Sequence, residues 1–193
     1  KHCALFFSEE TIDASDFGGR VTQMLMRYRA QLVPAQLNLL DSHDVSRFLS
    51  ACHGDTAKYK LAVLFQMTFV GMPTIFYGDE LGIQGVTEEE YRSPMPWNGG
   101  DTELYAFFRR AIAMRRELLP LRRGDFRMLS AQPGSGLLVY SRRAGSQRVT
   151  VCLNRGPATA ALPIKCGSPY WADHLTGNHL SPHGFAIFVD EES

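Results

Sequence analysis

An α/β unit whose parallel strands are joined by helices, followed by a separate all-β domain, is the fold class that this 193-residue sequence predicts. Three observations carry that expectation. In the first half, apolar residues recur in blocks at the helical period. Between the blocks lie short apolar runs that end in polar clusters or glycine, the pattern of buried parallel strands. From about residue 121 the pattern changes to short runs separated by Gly, Pro and Asn, as in an antiparallel sandwich or small barrel.

In chain order, Phe17, Val21, Met24, Leu25, Tyr28 and Leu32 predict an amphipathic helix over roughly 16–32, ended by Pro34. Gln36-Leu37-Asn38-Leu39-Leu40 reads as a buried strand that delivers the polar cluster Asp41-Ser42-His43-Asp44. A second helix, capped by Asp55 or Thr56, runs through Leu61, Leu64, Phe65 and Phe69 to Gly71 and Pro73. Thr74-Ile75-Phe76-Tyr77 reads as the next buried strand, broken by Gly78, and an irregular stretch covers roughly 79–100. Asp101 caps a third helix with the apolar face Leu104, Phe107, Phe108, Ala111, Ile112 and Leu118, stopped by Pro120. Its arginines, Arg109, Arg110, Arg115 and Arg116, read as a solvated face. Strands are expected at 126–129, 137–141, 149–153, 160–164, 170–175 and 185–189.

Twenty basic residues balance twenty acidic ones, so no net field steers the chain onto nucleic acid or an anionic membrane. No apolar run reaches the roughly 18 residues of a membrane span, and the apolar stretch at the N-terminus is too short for a signal peptide. The chain opens on Lys1 with no initiator Met, which predicts that it begins inside a longer protein. Cys3, Cys52, Cys152 and Cys166 form no CxxC pair, so free thiols and a cytoplasmic location are expected. His174, His179 and His183 fall in loop-rich sequence with no partner carboxylates, and no metal site is expected from them.

The segment Leu39-Leu40-Asp41-Ser42-His43-Asp44-Val45-Ser46-Arg47-Phe48 carries the most chemistry. Just past a buried parallel strand, His43 and Asp44 stand where barrel enzymes build their sites, at the C-terminal face. On spacing alone, the favoured reading is a polar turn with Asp44 and Arg47 as a local ion pair. Three further stretches accompany it: Gly71-Met72-Pro73-Thr74-Ile75-Phe76-Tyr77-Gly78-Asp79-Glu80-Leu81-Gly82, Arg92-Ser93-Pro94-Met95-Pro96-Trp97, and Arg115-Arg116-Glu117-Leu118-Leu119-Pro120.

In this order, these segments resemble the α-amylase superfamily of glycoside hydrolases, in the form seen among neopullulanases, cyclomaltodextrinases and maltogenic amylases. The resemblance covers roughly 12–125. It implies the last βα units of a (β/α)8 TIM barrel over residues 1–122 and a C-terminal antiparallel β-sandwich domain over 123–193. By the same resemblance, Asp44 would bind sugar hydroxyls at the cleavage point and stabilise the oxocarbenium-like transition state, and His43 would donate a hydrogen bond to that sugar. Arg47 and Arg92 would hold the site together or contact a neighbouring glucose. The substrate would be a maltooligosaccharide, cyclodextrin or starch-like α-glucan, with no organic cofactor. Asp79 and Glu80 are not read as the catalytic pair, because the family's nucleophile and acid/base follow earlier strands; Glu80 reads as a structural residue of its loop.

The parent is therefore expected to be a retaining glycosidase, and the fragment alone to be inactive, since retention needs two further carboxyl groups. Two other classes stand beside this one. One is a non-catalytic scaffold of the same fold, against which His43, Asp44 and Arg47 argue. The other is a carbohydrate-binding module using Tyr170 and Trp171, of which adjacent strand positions leave at most one exposed. Strands without their barrel neighbours expose unpaired backbone, so the chain is expected to associate with the rest of its barrel or as a homo-oligomer.

Overall fold

The computed structural model describes residues 1–165 and 167–191; Cys166, one of the thiols read as free, lies outside them. Cys3 and Cys52 are free thiols. The chain opens with a single π-helical turn, Ala4–Ser8, and α1 follows over Ala14–Arg27. The Asp13 carboxylate caps α1 by accepting from the Asp16 amide at 2.9 Å. This helix ends short of residue 32: Tyr28 is extended and Leu32 is exposed. Met24 and Leu25 still pack against the core, whereas Tyr28 and Leu32 are exposed, and Pro34 sits inside a 3-10 turn, Val33–Ala35.

β1, Leu37–Leu39, and β2, Met72–Thr74, pair in parallel with Leu37 opposite Met72. Both are shorter and more open than buried strands should be. Leu37 is 65% and Leu39 51% exposed, because their side chains point to a face that no described element covers. Residues 75–77 leave the ladder because the Phe76 amide and the Tyr77 carbonyl are taken by side chains instead.

Between these strands run a short helix α2, Phe48–Ala51, and α3, Thr56–Thr68. Asp55 caps α3 through the amides of Ala57 and Lys58. From Leu61 to Thr68 every side chain of α3 is buried, so the helix is covered on all sides. Its polar member, Gln66, donates to the carbonyls of Asn38 (2.9 Å) and Thr74 (2.8 Å), tying the two strands together from behind. Gly71, at φ +105°, approaches the Gln36 carbonyl so closely that a Cβ there would lie 2.7 Å from it.

After a 3-10 turn at Asp79–Leu81 come α4 (Glu88–Tyr91), α5 (Thr102–Glu117) and α6 (Leu119–Arg123). Asp101 caps α5 through the amides of Glu103 and Leu104. Ile112 is half exposed and Met114 takes its place in the core. Pro120 does not stop α5, which ends at Glu117 with Leu118 already extended; it lies in the first turn of α6, where a missing N–H costs nothing. Nor is Arg115 solvated. Its guanidinium donates to the carbonyls of Met67, Phe69 and Gly71, closing the open end of α3.

The remaining strands are β3 (Arg127–Ala131), β4 (Leu137–Ala144), β5 (Gln147–Asn154), β6 (Ala160–Ala161), β7 (Trp171–Thr176) and β8 (His179–Glu191). They form one connected antiparallel sheet in the order β3-β4-β5-β8-β6, with β7 on β8. β8 begins six residues before the apolar run, since its first half, around Ser181-Pro182-His183, is polar and pairs with β6 and β7. Alternation sends Leu138, Tyr140, Val151 and Ile187 into a core shared with the helices, and Val139, Cys152, Ala186 and Phe188 into a smaller one with Leu162 and Leu180. Arg142 is buried across the seam, where it donates to the carbonyls of Thr68, Leu121, Gly124 and Asp125.

Two neighbouring arginines on α5 therefore separate sharply. Arg115→Ala leaves three carbonyls without their donor and is expected to cost about 2–3 kcal/mol, whereas Arg116→Ala costs under about 0.5 kcal/mol. Urea unfolding of the two variants side by side checks the difference; equal midpoints would refute the assignment.

Candidate active site

The end of β1 turns back on itself. The Val45 amide donates to the Ser42 carbonyl, the Asp44 amide donates to Ser42 Oγ at 3.2 Å, and His43 and Asp44 project from the tip. Their side chains are 65% and 68% exposed, with His43 Nε2 3.3 Å from Asp44 Oδ2. Arg92, just past α4, reaches over from the other side. Its Nη2 lies 3.5 Å from Asp44 Oδ1 and 3.1 Å from Glu88 Oε1, and its Nε donates to the His43 carbonyl at 3.0 Å. The partner of Asp44 is thus Arg92 and not Arg47.

Arg47 lies directly below, with no exposed surface. Nη1 donates to the Tyr77 carbonyl (2.7 Å) and to Asp79 Oδ1 (3.1 Å), and Nε donates to the Tyr91 carbonyl (3.1 Å). The guanidinium carbon stands 3.9 Å from the centre of the Phe76 ring, a cation–π contact in a dry site. So placed, Arg47 offers nothing to a sugar; of its two expected roles, contact with a neighbouring glucose is ruled out by burial, and holding the site together remains.

Two aspartates complete the base: Asp41 of the polar cluster, and Asp79, which the sequence reading set aside as a catalytic acid. Asp41 and Asp79 are both buried, and their carboxyl groups lie within hydrogen-bond reach of each other. Asp41 Oδ2 also accepts from the Phe48 amide at 2.6 Å, and Asp79 Oδ2 from the Phe76 amide at 3.1 Å. Burial raises both carboxyl groups above the usual range, and the neighbouring Asp41 charge adds to the rise at Asp79, which reaches about 8. The structural acid of this loop is therefore Asp79, where Glu80 was expected. The only signal in the sequence was its place between Gly78 and Gly82, both in the left-handed region, which bend the chain tightly enough to turn one acid inward.

At the other end of the molecule, Trp171 is buried against Phe107 and Phe185 under the Arg110 guanidinium, and Tyr170 is exposed, its hydroxyl donating to Glu117 Oε2 at 2.8 Å. The pair cannot make a stacking platform. Among the described residues, no helix is long and apolar enough to cross a membrane.

Comparison with known proteins bears on this arrangement. The family model "Alpha amylase, catalytic domain" matches residues 8–103. The chain is 40% identical over 184 residues to neopullulanase 2 of Thermoactinomyces vulgaris and 37% identical over 201 residues to a cyclomaltodextrinase of Geobacillus thermopakistaniensis. It belongs to the α-amylase family. These alignments take in 93% and 96% of the chain but only 31% and 34% of the two relatives, so the chain spans about a third of their length. Among solved structures, a cyclomaltodextrinase superposes with a TM-score of 0.81 at 31% identity, over 98% of this chain and 33% of that one. The α-amylase fold expected from the motifs is the one observed: barrel βα units, then an antiparallel β-sheet unit.

In this α-amylase-family chain, Arg47 is the cation on which the turn rests. Arg47→Ala leaves Asp79 buried without its counter-ion and is expected to destabilise the protein by about 3–5 kcal/mol. Thermal unfolding of that variant beside Arg92→Ala, whose partners are exposed and whose loss costs under about 1 kcal/mol, is the check. Similar melting temperatures for the two would contradict it.

Proposed function

We propose that this chain is the part of a retaining glycoside hydrolase that stabilises the transition state, in an enzyme acting on α-glucosidic bonds of maltooligosaccharides, cyclodextrins or starch-like glucans. The observation that carries the reading is Asp44 itself. It is an exposed carboxylate at the C-terminal end of a parallel strand, flanked by His43 and Arg92 and borne on a turn fixed from below.

An oxocarbenium-like sugar gains positive charge at its ring as the bond breaks, and its hydroxyls become better donors. A carboxylate held ready for them meets that change without reorganising, which is how preorganised charge lowers a barrier. Asp44 accepts from the sugar hydroxyls and His43 donates to the same ring. Arg92 keeps Asp44 aimed by gripping its free oxygen and the backbone of the turn. The nucleophile and the acid/base belong to the remainder of the barrel, which also covers the open faces of β1 and β2. The division of labour falls near residue 123, with catalysis in 1–122 and the sheet of 123–193 as its buttress.

The scaffold and carbohydrate-module readings have less support, since the polar groups of the turn are intact and Trp171 is spent on packing. In the full-length enzyme, Asp44→Asn is expected to lower kcat/KM on maltooligosaccharides by about a thousandfold with folding intact, the equivalent of several kcal/mol lost only in the transition state. Near-normal turnover would sink the reading. The purified 193-residue chain is expected to release no reducing sugar from starch or cyclodextrin, and to associate through β1 and β2. Asp44-dependent hydrolysis, or a dispersed monomer by light scattering over a wide concentration range, would count against it.

A further inference from the structure

Below the exposed turn lies a cluster that the reaction outlined above does not use: Asp41, Asp79 and Arg47, all three buried. Two carboxyl groups within hydrogen-bond reach of each other need a proton between them, because two carboxylates offer only lone pairs and no donor. The charges give the same count. Among the described residues one guanidinium, that of Arg47, is the cation in contact with the pair, so a single retained proton leaves the cluster neutral and two bare anions would leave it negative in a dry site. The other titratable group facing the pair is the Tyr59 phenol on α3, which burial keeps in its neutral form.

The cluster is wired to the turn at both ends. Asp41 stands three residues before Asp44 and holds the Phe48 amide beyond it, so one carboxyl group spans the whole turn. Asp79 takes Arg47, and Arg47 holds the carbonyl of Tyr91, next in chain to the Arg92 that grips Asp44. We propose that Asp41 and Asp79 share one proton and that this proton makes them positioning residues: it locks the His43–Asp44 turn to the loop after β2, and its loss to water frees the turn. The inference rests on the glycosidase reading for its kinetic half only.

When the proton leaves, the bond between the carboxyl groups is replaced by repulsion, and the base of the turn moves away from Asp79. The titration falls on the alkaline side, since burial holds the pair's proton well above the ordinary carboxylate range. The family's acid/base also loses its proton as pH rises. Two independent proton losses then govern kcat/KM, and its logarithm falls with a limiting slope of about −2 per pH unit instead of about −1.

The test uses the full-length enzyme. Infrared difference spectra of wild type against Asp79→Asn are expected to show a protonated-carboxyl C=O band at neutral pH that only the wild type has, and that fades as pH is raised through about 8. Asp41→Asn gives the same comparison if Asp79→Asn does not fold, and the wild-type pH titration needs no variant at all. In kinetics, Asp79→Asn is isosteric with the protonated acid and has no proton to lose at these pH values, so its alkaline slope becomes about −1, and it retains at least about tenfold more kcat/KM than Asp79→Ala. A wild type without such a band, or equal alkaline slopes in folded wild type and Asp79→Asn, would overturn the proposal. Normal turnover by Asp44→Asn would remove the glycosidase reading and leave the infrared result standing.

Discussion

A single buried guanidinium determines where everything exposed at this site can stand. Arg47 enters from the turn after β1 and meets the Tyr77 and Tyr91 carbonyls, the Asp79 carboxyl group and the Phe76 ring, all from the segment after β2. The β1–β2 ladder is only three residues long and could not fix the loops at its ends unaided. Taking a cation out of water costs several kcal/mol unless its neighbours replace the lost hydration; here backbone oxygens, a carboxyl group and an aromatic face replace part of it, and Nη2 is left buried without a hydrogen-bond partner. The two loops are consequently one rigid object, and His43, Asp44 and Arg92 inherit their places from it.

The same device recurs wherever the helical unit meets something else. Gln66 crosses from α3 to both strands, Arg115 closes the end of α3, and Arg142 reaches from the sheet to the carbonyls of Thr68, Leu121, Gly124 and Asp125. In each case a side chain with several donors satisfies carbonyls that helix ends and loops leave orphaned in the interior. Apolar packing supplies the bulk of the stabilisation, since α3 and one face of the sheet contribute to one continuous core. The polar groups give that packing a single register.

These inserted polar groups are also where the sequence was hardest to read. Period and capping chemistry were legible, because Asp55 and Asp101 act on the amides immediately following them and need nothing distant. The motif order was legible too, and it brought out His43, Asp44, Arg47 and Arg92 together. Burial of charge was not. Arg115 and Arg116 are the same letter on the same helix, and only the arrival of the loop after α3 makes one of them a buried donor. Nor can a hydrophobic run say what covers it: Leu37 and Leu39 have the pattern of interior residues and are open to solvent, since no described element packs over them. The supporting role of Asp41 and Asp79 was not legible for a related reason, since nothing in a turn's own sequence says that a second acid will face the first.

Three aspartates within this one small region show how far environment outranks residue type. Asp44 stands in water beside a histidine and an arginine, where an ionised carboxylate can reach out to a hydroxyl. Asp41 and Asp79 face each other in the interior, where water is excluded and a second negative charge has no cation left to answer it. The first can serve chemistry because it is free to exchange partners. The other two cannot exchange theirs without exposing a buried charge, and that immobility is what makes them suitable as the base of the turn. The turn lifts residues 43–46 into solvent together and returns Arg47 to the interior where Asp41 already lies, so the place of a carboxyl group along it decides which property that group has. The division between the reactive acid and its supports is therefore set by the geometry of residues 41–48, before any partner or sugar arrives.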